Sequence, residues 1–134
     1  MTAFGSTQFL AVANPNATPA TVVVDYIAKT GIIRTQKVIP GRSRLPISVG
    51  DAAEAGAGKE LGMHLSADLP VVAERSIYFN KGLYQGGSDS LGSPSLAKKW
   101  LFAEGFTGEG FETSLLLTNQ NDKTAEVKIR FFKE

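Results

Sequence analysis

Cysteine is absent from this 134-residue chain. Its absence excludes disulfides, thiolate zinc sites and a thiol nucleophile, while saying little about compartment. Histidine is almost absent: His64 is the single one. A hydrolytic triad needs a base beside its nucleophile, so His64 is the one imidazole able to serve. It falls on the polar side of an alternating segment, which predicts a solvated surface or strand-edge residue rather than a catalytic one. Excess charge is lacking too, with 14 basic and 13 acidic residues spread along the chain. No basic stripe is available to neutralise phosphates, so nucleic acid is not an expected partner. No apolar run approaches the roughly 18 residues of a spanning helix, so no membrane span is expected. The opening stretch, MTAFGSTQFLAVANPN, has no basic region before its apolar residues and does not read as a signal peptide. The expectation is a piece excised from a longer secreted protein.

Helix signals are also scarce. Asp51 to Ala57 (DAAEAGA) is the one plausible helical turn, and its glycine and short length make it marginal. Strand signals dominate instead. Residues 20–28 are rich in β-branched side chains, with Val22, Val24 and Tyr26 on one face and Thr21, Val23 and Asp25 on the other. Lys29-Thr30-Gly31 reads as a hairpin turn into residues 32–39, and Pro40-Gly41 ends that strand. Residues 43–49 read as a further short strand. Leu61, Met63 and Leu65 alternate with Gly62, His64 and Ser66, and Val71, Ala73, Arg75, Ile77 and Phe79 share one face of the next strand. Residues 81–99 carry four glycines, four serines and a proline and read as a long loop holding one short strand. Strand character resumes at 100–103, 115–118 and 125–132. Many short strands, with one face apolar and one polar, predict an all-β fold. An antiparallel immunoglobulin-like or Greek-key β-sandwich is expected over residues 1–134 as a single domain, with a small β-barrel as the alternative.

The end of the chain repeats its beginning. Residues 5–29 (GSTQFLAVANPNATPATVVVDYIAK) align without a gap on residues 110–134 (GFETSLLLTNQNDKTAEVKIRFFKE), 105 positions later. Leu10/Leu115, Asn14/Asn119, Asn16/Asn121, Ala20/Ala125 and Val22/Val127 are identical pairs. Val12/Leu117, Val24/Ile129 and Tyr26/Phe131 preserve the apolar pattern between them. Repetition at a fixed period marks a unit built to stand in series. It favours an assembly module over a self-contained enzyme, with neighbouring units or a second copy as the expected partner. Two equivalent hairpins compete for one structural place. The second either takes a pseudo-symmetric position in its own sandwich or completes a neighbour's by strand exchange, giving filaments where the contact does not close.

The remaining chemical candidates are weak. Gly56-Ala57-Gly58-Lys59-Glu60 resembles half a phosphate-binding loop, but Ala53 and Glu60 stand where a glycine and a hydroxyl residue are required. Asn14-Pro15-Asn16 and Asn119-Gln120-Asn121-Asp122 offer oxygens, yet such side chains more often bond their own turns than a calcium ion. Asn16-Ala17-Thr18 is formally a glycosylation sequon and is read as a turn. Asp51 and Glu54 sit where acids simply stabilise a helical turn. No cofactor, metal site or catalytic residue is expected. Arg75 shares an apolar face and requires a partner if buried, for which Glu104 is the candidate. Tyr78, Tyr84 and Trp100 form the candidate aromatic surface, on which cell-wall polysaccharide would stack.

Three stretches together resemble a known repeat. Trp100-Leu101-Phe102-Ala103-Glu104-Gly105, followed by Thr107-Gly108-Glu109-Gly110-Phe111, looks like the W-[YF]-F-A-E-G-x-T-x-x-G-F opening of a tandem β-sandwich repeat in secreted bacterial cell-surface proteins. Residues 9–16 and 115–122 are similar to its L-L-L-x-N-P-N turn, and residues 72–79 to its V-A-E-R-x-M-Y-W strand. The chain departs from the pattern in two places. Its first copy lacks the W-F-A-E-G opening, and Gln120 stands where the repeat usually carries proline. The resemblance implies an extracellular or cell-surface location and a non-catalytic spacer or adhesion module, and it carries over no catalytic residue.

Overall fold

The computed structural model describes residues 5–82 and 84–132. Seven strands form: β1 (Ser6–Asn14), β2 (Ala20–Ala28), β3 (Gly31–Ile39), β4 (Ser43–Ser48), β5 (Leu61–Ala67), β6 (Val72–Lys81) and β7 (Tyr84–Leu91). They make a four-stranded sheet in the order β4-β1-β6-β7 and a three-stranded sheet in the order β3-β2-β5. Every pairing is antiparallel. The fold is therefore an all-β sandwich, and its two separate ladders set the barrel aside. β4 returns to lie beside β1 after the β2–β3 hairpin in the other sheet, which is a Greek-key closure.

Alternation builds the core. Leu10 and Val12 on β1, and Ala20, Val22, Val24 and Tyr26 on β2, turn inward and are buried, with Ile39, Ile47 and Val49 packed against them. Complete burial of each larger side chain contributes about 1.5–3 kcal/mol. The β2–β3 hairpin pairs Ala28 with Gly31, leaving only Lys29 and Thr30 in the loop. Gly31 takes φ 124°, a conformation open to glycine and strained for other residues.

Burial fades from one edge of the sandwich to the other. It is densest between β1 and β2 and partial on β6, and every described side chain of β7 is exposed. The region read as a long loop contributes an eight-residue strand, β7. Its glycines have a packing reason. Gly86 and Gly87 stand opposite Phe79 and Tyr78, and a Cβ on either would come within 3.0–3.1 Å of those rings. Rings that fold over a neighbouring strand need such bare backbone.

Three expectations are corrected. Residues 51–55 form turns rather than a helical turn, with Glu54 N and Gly56 N both donating to Asp51 O. This folds Glu54 and Ala55 under the sheet. The strands expected at 100–103, 115–118 and 125–132 do not form, and no strand occurs among described residues after Leu91. An extended segment is held by a ladder partner, and the central places of both sheets are already filled by β1 and β2. β1 and β2 belong to different sheets, so residues 5–29 form an arch between the sheets rather than the expected hairpin. The repeated segments 5–29 and 110–134 thus do not take pseudo-symmetric positions in one sandwich, the last two residues of the second lying outside the described residues.

Candidate functional site

The asparagine turns are the most informative local geometry in the molecule. In the first, Asn14 Nδ2 donates to Thr18 O (2.8 Å), while Asn14 Oδ1 accepts from Asn16 N (3.0 Å) and Asn16 Nδ2 (2.8 Å). In the second, Asn119 Nδ2 donates to Lys123 O (2.8 Å), and its Oδ1 accepts from Asn121 N (3.1 Å) and Asn121 Nδ2 (3.0 Å). The same three bonds recur at the 105-residue offset. Gln120 in place of Pro15 leaves them intact, because none of them uses that position.

What differs is what sits on each turn. Asn14 also donates to Ile39 O (3.0 Å) and Pro40 O (3.2 Å) from the β3–β4 connection. Arg42 N donates to Asn16 O (2.8 Å), and Asn16 Nδ2 donates to Pro70 O (2.8 Å). Gly41 approaches so closely that a Cβ there would lie 2.2 Å from Ala17 O. Arg42 follows at φ 53°, outside the region most side chains favour. The first turn is locked by two loops of its own sandwich. Asn119 and Asn121 are exposed, and the hydrogen bonds found for them stay within their turn.

The strands on either side tell the same story. Leu10, Val12, Ala20, Val22, Val24 and Tyr26 are buried. Their counterparts Leu115, Leu117, Ala125, Val127, Ile129 and Phe131 are all exposed. Phe131 is 84% exposed where Tyr26 is 0%. The second copy thus has the turn chemistry of the first and none of its core burial. Thr118 touches the sandwich, its Oγ1 lying 2.2 Å from where a Cβ on Gly62 would stand, on the outer side of β5.

A buried polar cluster joins Tyr26 of the first copy to β3 and to the turn after β4. The Tyr26 hydroxyl donates to Glu54 Oε2 (2.7 Å), Thr35 Oγ1 donates to the same oxygen (2.9 Å), and Lys37 pairs with Oε1. Burial raises the Glu54 carboxyl, but hydrogen bonds from Lys37, Tyr26 and Thr35 outweigh it and hold the group below its ordinary range. Burial first, then the hydrogen bond to Glu54, pushes the Tyr26 phenol well up. An ionised carboxylate answered by three donors is an anchor holding the 51–55 turn against the sheet. Sequence reading missed it. The available signal was Lys37 and Thr35 on the inward face of β3, opposite Val22 and Val24.

The residues singled out beforehand are not brought together. Arg75 faces inward opposite Leu10, and its buried Nε has no hydrogen-bond partner. Burial pulls its guanidinium below the usual value. Glu104 is exposed in the C-terminal segment and forms no salt bridge with Arg75. The expected pair is absent because the strand expected at 100–103, which would lead Glu104 inward, has not formed. Tyr78 meets Phe9 edge-to-face at 6.2 Å on the four-stranded sheet. Trp100 Nε1 instead donates to Ala97 O (3.0 Å) within its own segment. Tyr84 lies in β7, and its side chain is outside the described residues. His64 is half exposed, with Nδ1 3.8 Å from Asp25 Oδ2. Asp25 is gripped from two sides by Arg34 Nε and a terminal guanidinium nitrogen (2.6 and 2.8 Å), and that hydrogen bonding lowers its carboxyl. No helix among the described residues is long and apolar enough to cross a membrane.

The same layered architecture occurs elsewhere. The crystal structure of Thermotoga maritima 1070 superposes with a TM-score of 0.57 at 13% identity, over 66% of this chain and 76% of that one. At this identity the likeness is one of fold. No curated protein matches the sequence. A sandwich whose opening sequence recurs 105 residues later is thus the form taken here by the family of unknown function DUF5719, to which the chain belongs, matching it over residues 1–134.

Proposed function

We propose that this protein is a non-catalytic structural module, a spacer or adhesive segment of a bacterial surface protein, in which such sandwiches stand in series. One observation carries the reading: the Asn14 turn recurs at Asn119 with the same hydrogen bonds, and its flanking sequence recurs at 110–132 without strand pairing or core burial. A module that carries a second copy of its own opening segment is suited to being joined to another of its kind. The resemblance of residues 100–111 and 72–79 to a surface-protein repeat supports the extracellular setting. The interior polar groups fit a structural role as well. Glu54 is spent on Tyr26, Thr35 and Lys37, and His64 stands in solvent beside Asp25.

Protease shaving of intact cells that produce the protein tests the location. Antibody signal for this domain should disappear from intact cells as fast as that of a known surface protein. Protection until the cells are lysed would overturn it. Turnover in a hydrolase or transferase screen, abolished by substituting His64 or Glu54, would overturn the non-catalytic reading.

A further inference from the structure

We propose that residues 111–132 are a docking segment whose partner is a second sandwich of this same fold, in which they supply the strands of β1 and β2, one to each sheet. This rests on the serial reading above and names the contact that makes the series. The first copy shows what the segment needs. β1 is flanked by β4 and β6, β2 by β3 and β5, and the turn between them is closed by carbonyls of Ile39 and Pro40. In the second copy Leu117 and Ile129, at the places of Val12 and Val24, are exposed at 58% and 47%. Asn119 has already formed the inner bonds of the turn. The turn is thus pre-formed for a shell made of strands like β3 to β7, and a second copy of this fold offers both flanks and the closing carbonyls.

A chain with two such segments and one shell lets the preference be read directly. Full-length protein carrying Val12→Asp and Val24→Asp has a disabled first copy. Its shell should then accept 111–132 from a neighbouring chain. Val12 stands opposite Ala73, so Leu117 takes that place after exchange. The chain has no native cysteine, and Ala73→Cys with Leu117→Cys reports the exchange as a disulfide. The expected results are cooperative unfolding of the disabled chain, a 73–117 disulfide between chains in its cysteine variant, and loss of the cooperative unfolding when Leu117→Asp and Ile129→Asp are added without the cysteines. Light scattering separates exchange between chains, which supports the proposal, from closure within a chain, which overturns it. Full-length protein with the milder Val12→Ala and Val24→Ala guards against simple misfolding. The 73–117 disulfide should form there several-fold faster than with the first copy unaltered. Absence of that disulfide in both backgrounds would also overturn the docking segment while leaving the surface location standing. Failure of the shaving experiment would do the reverse.

Discussion

The Tyr26 hydroxyl reaches Glu54 Oε2 at 2.7 Å inside the sandwich, joining the middle of β2 to the turn after β4. Phe131, its counterpart in the repeated segment, has no hydroxyl to make that bond. Tyr26→Phe should therefore keep the fold and lower stability by about 1–2 kcal/mol, the worth of a hydrogen bond to a charged group. Glu54→Ala should cost more, about 2–3 kcal/mol, because it strands Lys37 and the phenol together. Urea unfolding with unchanged m-values checks both.

Acid should weaken the fold through the same carboxylate. Glu54 is held below its ordinary value of 4.5. A depressed carboxyl contributes stability that is complete above that value and is lost as pH falls below it through the folded value. Asp25, partly buried and lowered by Arg34, acts in the same direction below 3.8. Stability curves should thus fall on the acid side, and Glu54→Gln should flatten the part that begins near 4.5. Equal slopes for the two proteins between pH 5 and 3, measured by urea unfolding, would remove Glu54 as the cause.

Identical substitutions in the two asparagine turns should have unequal effects. Asn14 is 1% exposed and answers the carbonyls of Thr18, Ile39 and Pro40. Asn14→Ala should cost about 2–4 kcal/mol, since buried carbonyls lose their donor. Asn119→Ala should change the melting temperature of the chain by less than about 1 °C, because its turn is exposed and undocked. Thermal unfolding of the pair decides.

Gly41 has no room to change. A Cβ there would stand 2.2 Å from the Ala17 carbonyl, and backbone cannot swing aside as a side chain can. Gly41→Ala should destabilise by about 1–3 kcal/mol through overpacking. Hydrogen exchange should localise the loosening to the Asn14 turn and the β3–β4 connection.

Arg75 offers the opposite case. Its Nε is buried and unpartnered, so the guanidinium contributes a desolvation cost with no matching bond. Arg75→Met keeps the stem's packing and removes that cost. The expected change is a gain of about 1 kcal/mol, read as a higher urea midpoint. A loss of that size would mean that the guanidinium has a compensating contact.

The sequence by itself determined the strands of the sandwich, because alternation and turn chemistry act over a few residues. Val22, Val24 and Tyr26 face inward as the alternation requires, and the Asn14 and Asn119 turns close alike with or without neighbours. Tertiary structure alone decided which extended segments found partners. Residues 115–118 and 125–132 carry the same apolar pattern as β1 and β2, yet remain unpaired, because a strand is held by flanking ladders that no local pattern supplies. It also decided the fate of the charges. Glu54, read as an acid that stabilises a helical turn, became the buried anchor of Tyr26 and Lys37. Arg75, expected to pair with Glu104, stayed unpaired at its Nε. Long-range contacts assign a charge its partner, and they depend on how two sheets stack rather than on which residues are neighbours in the chain.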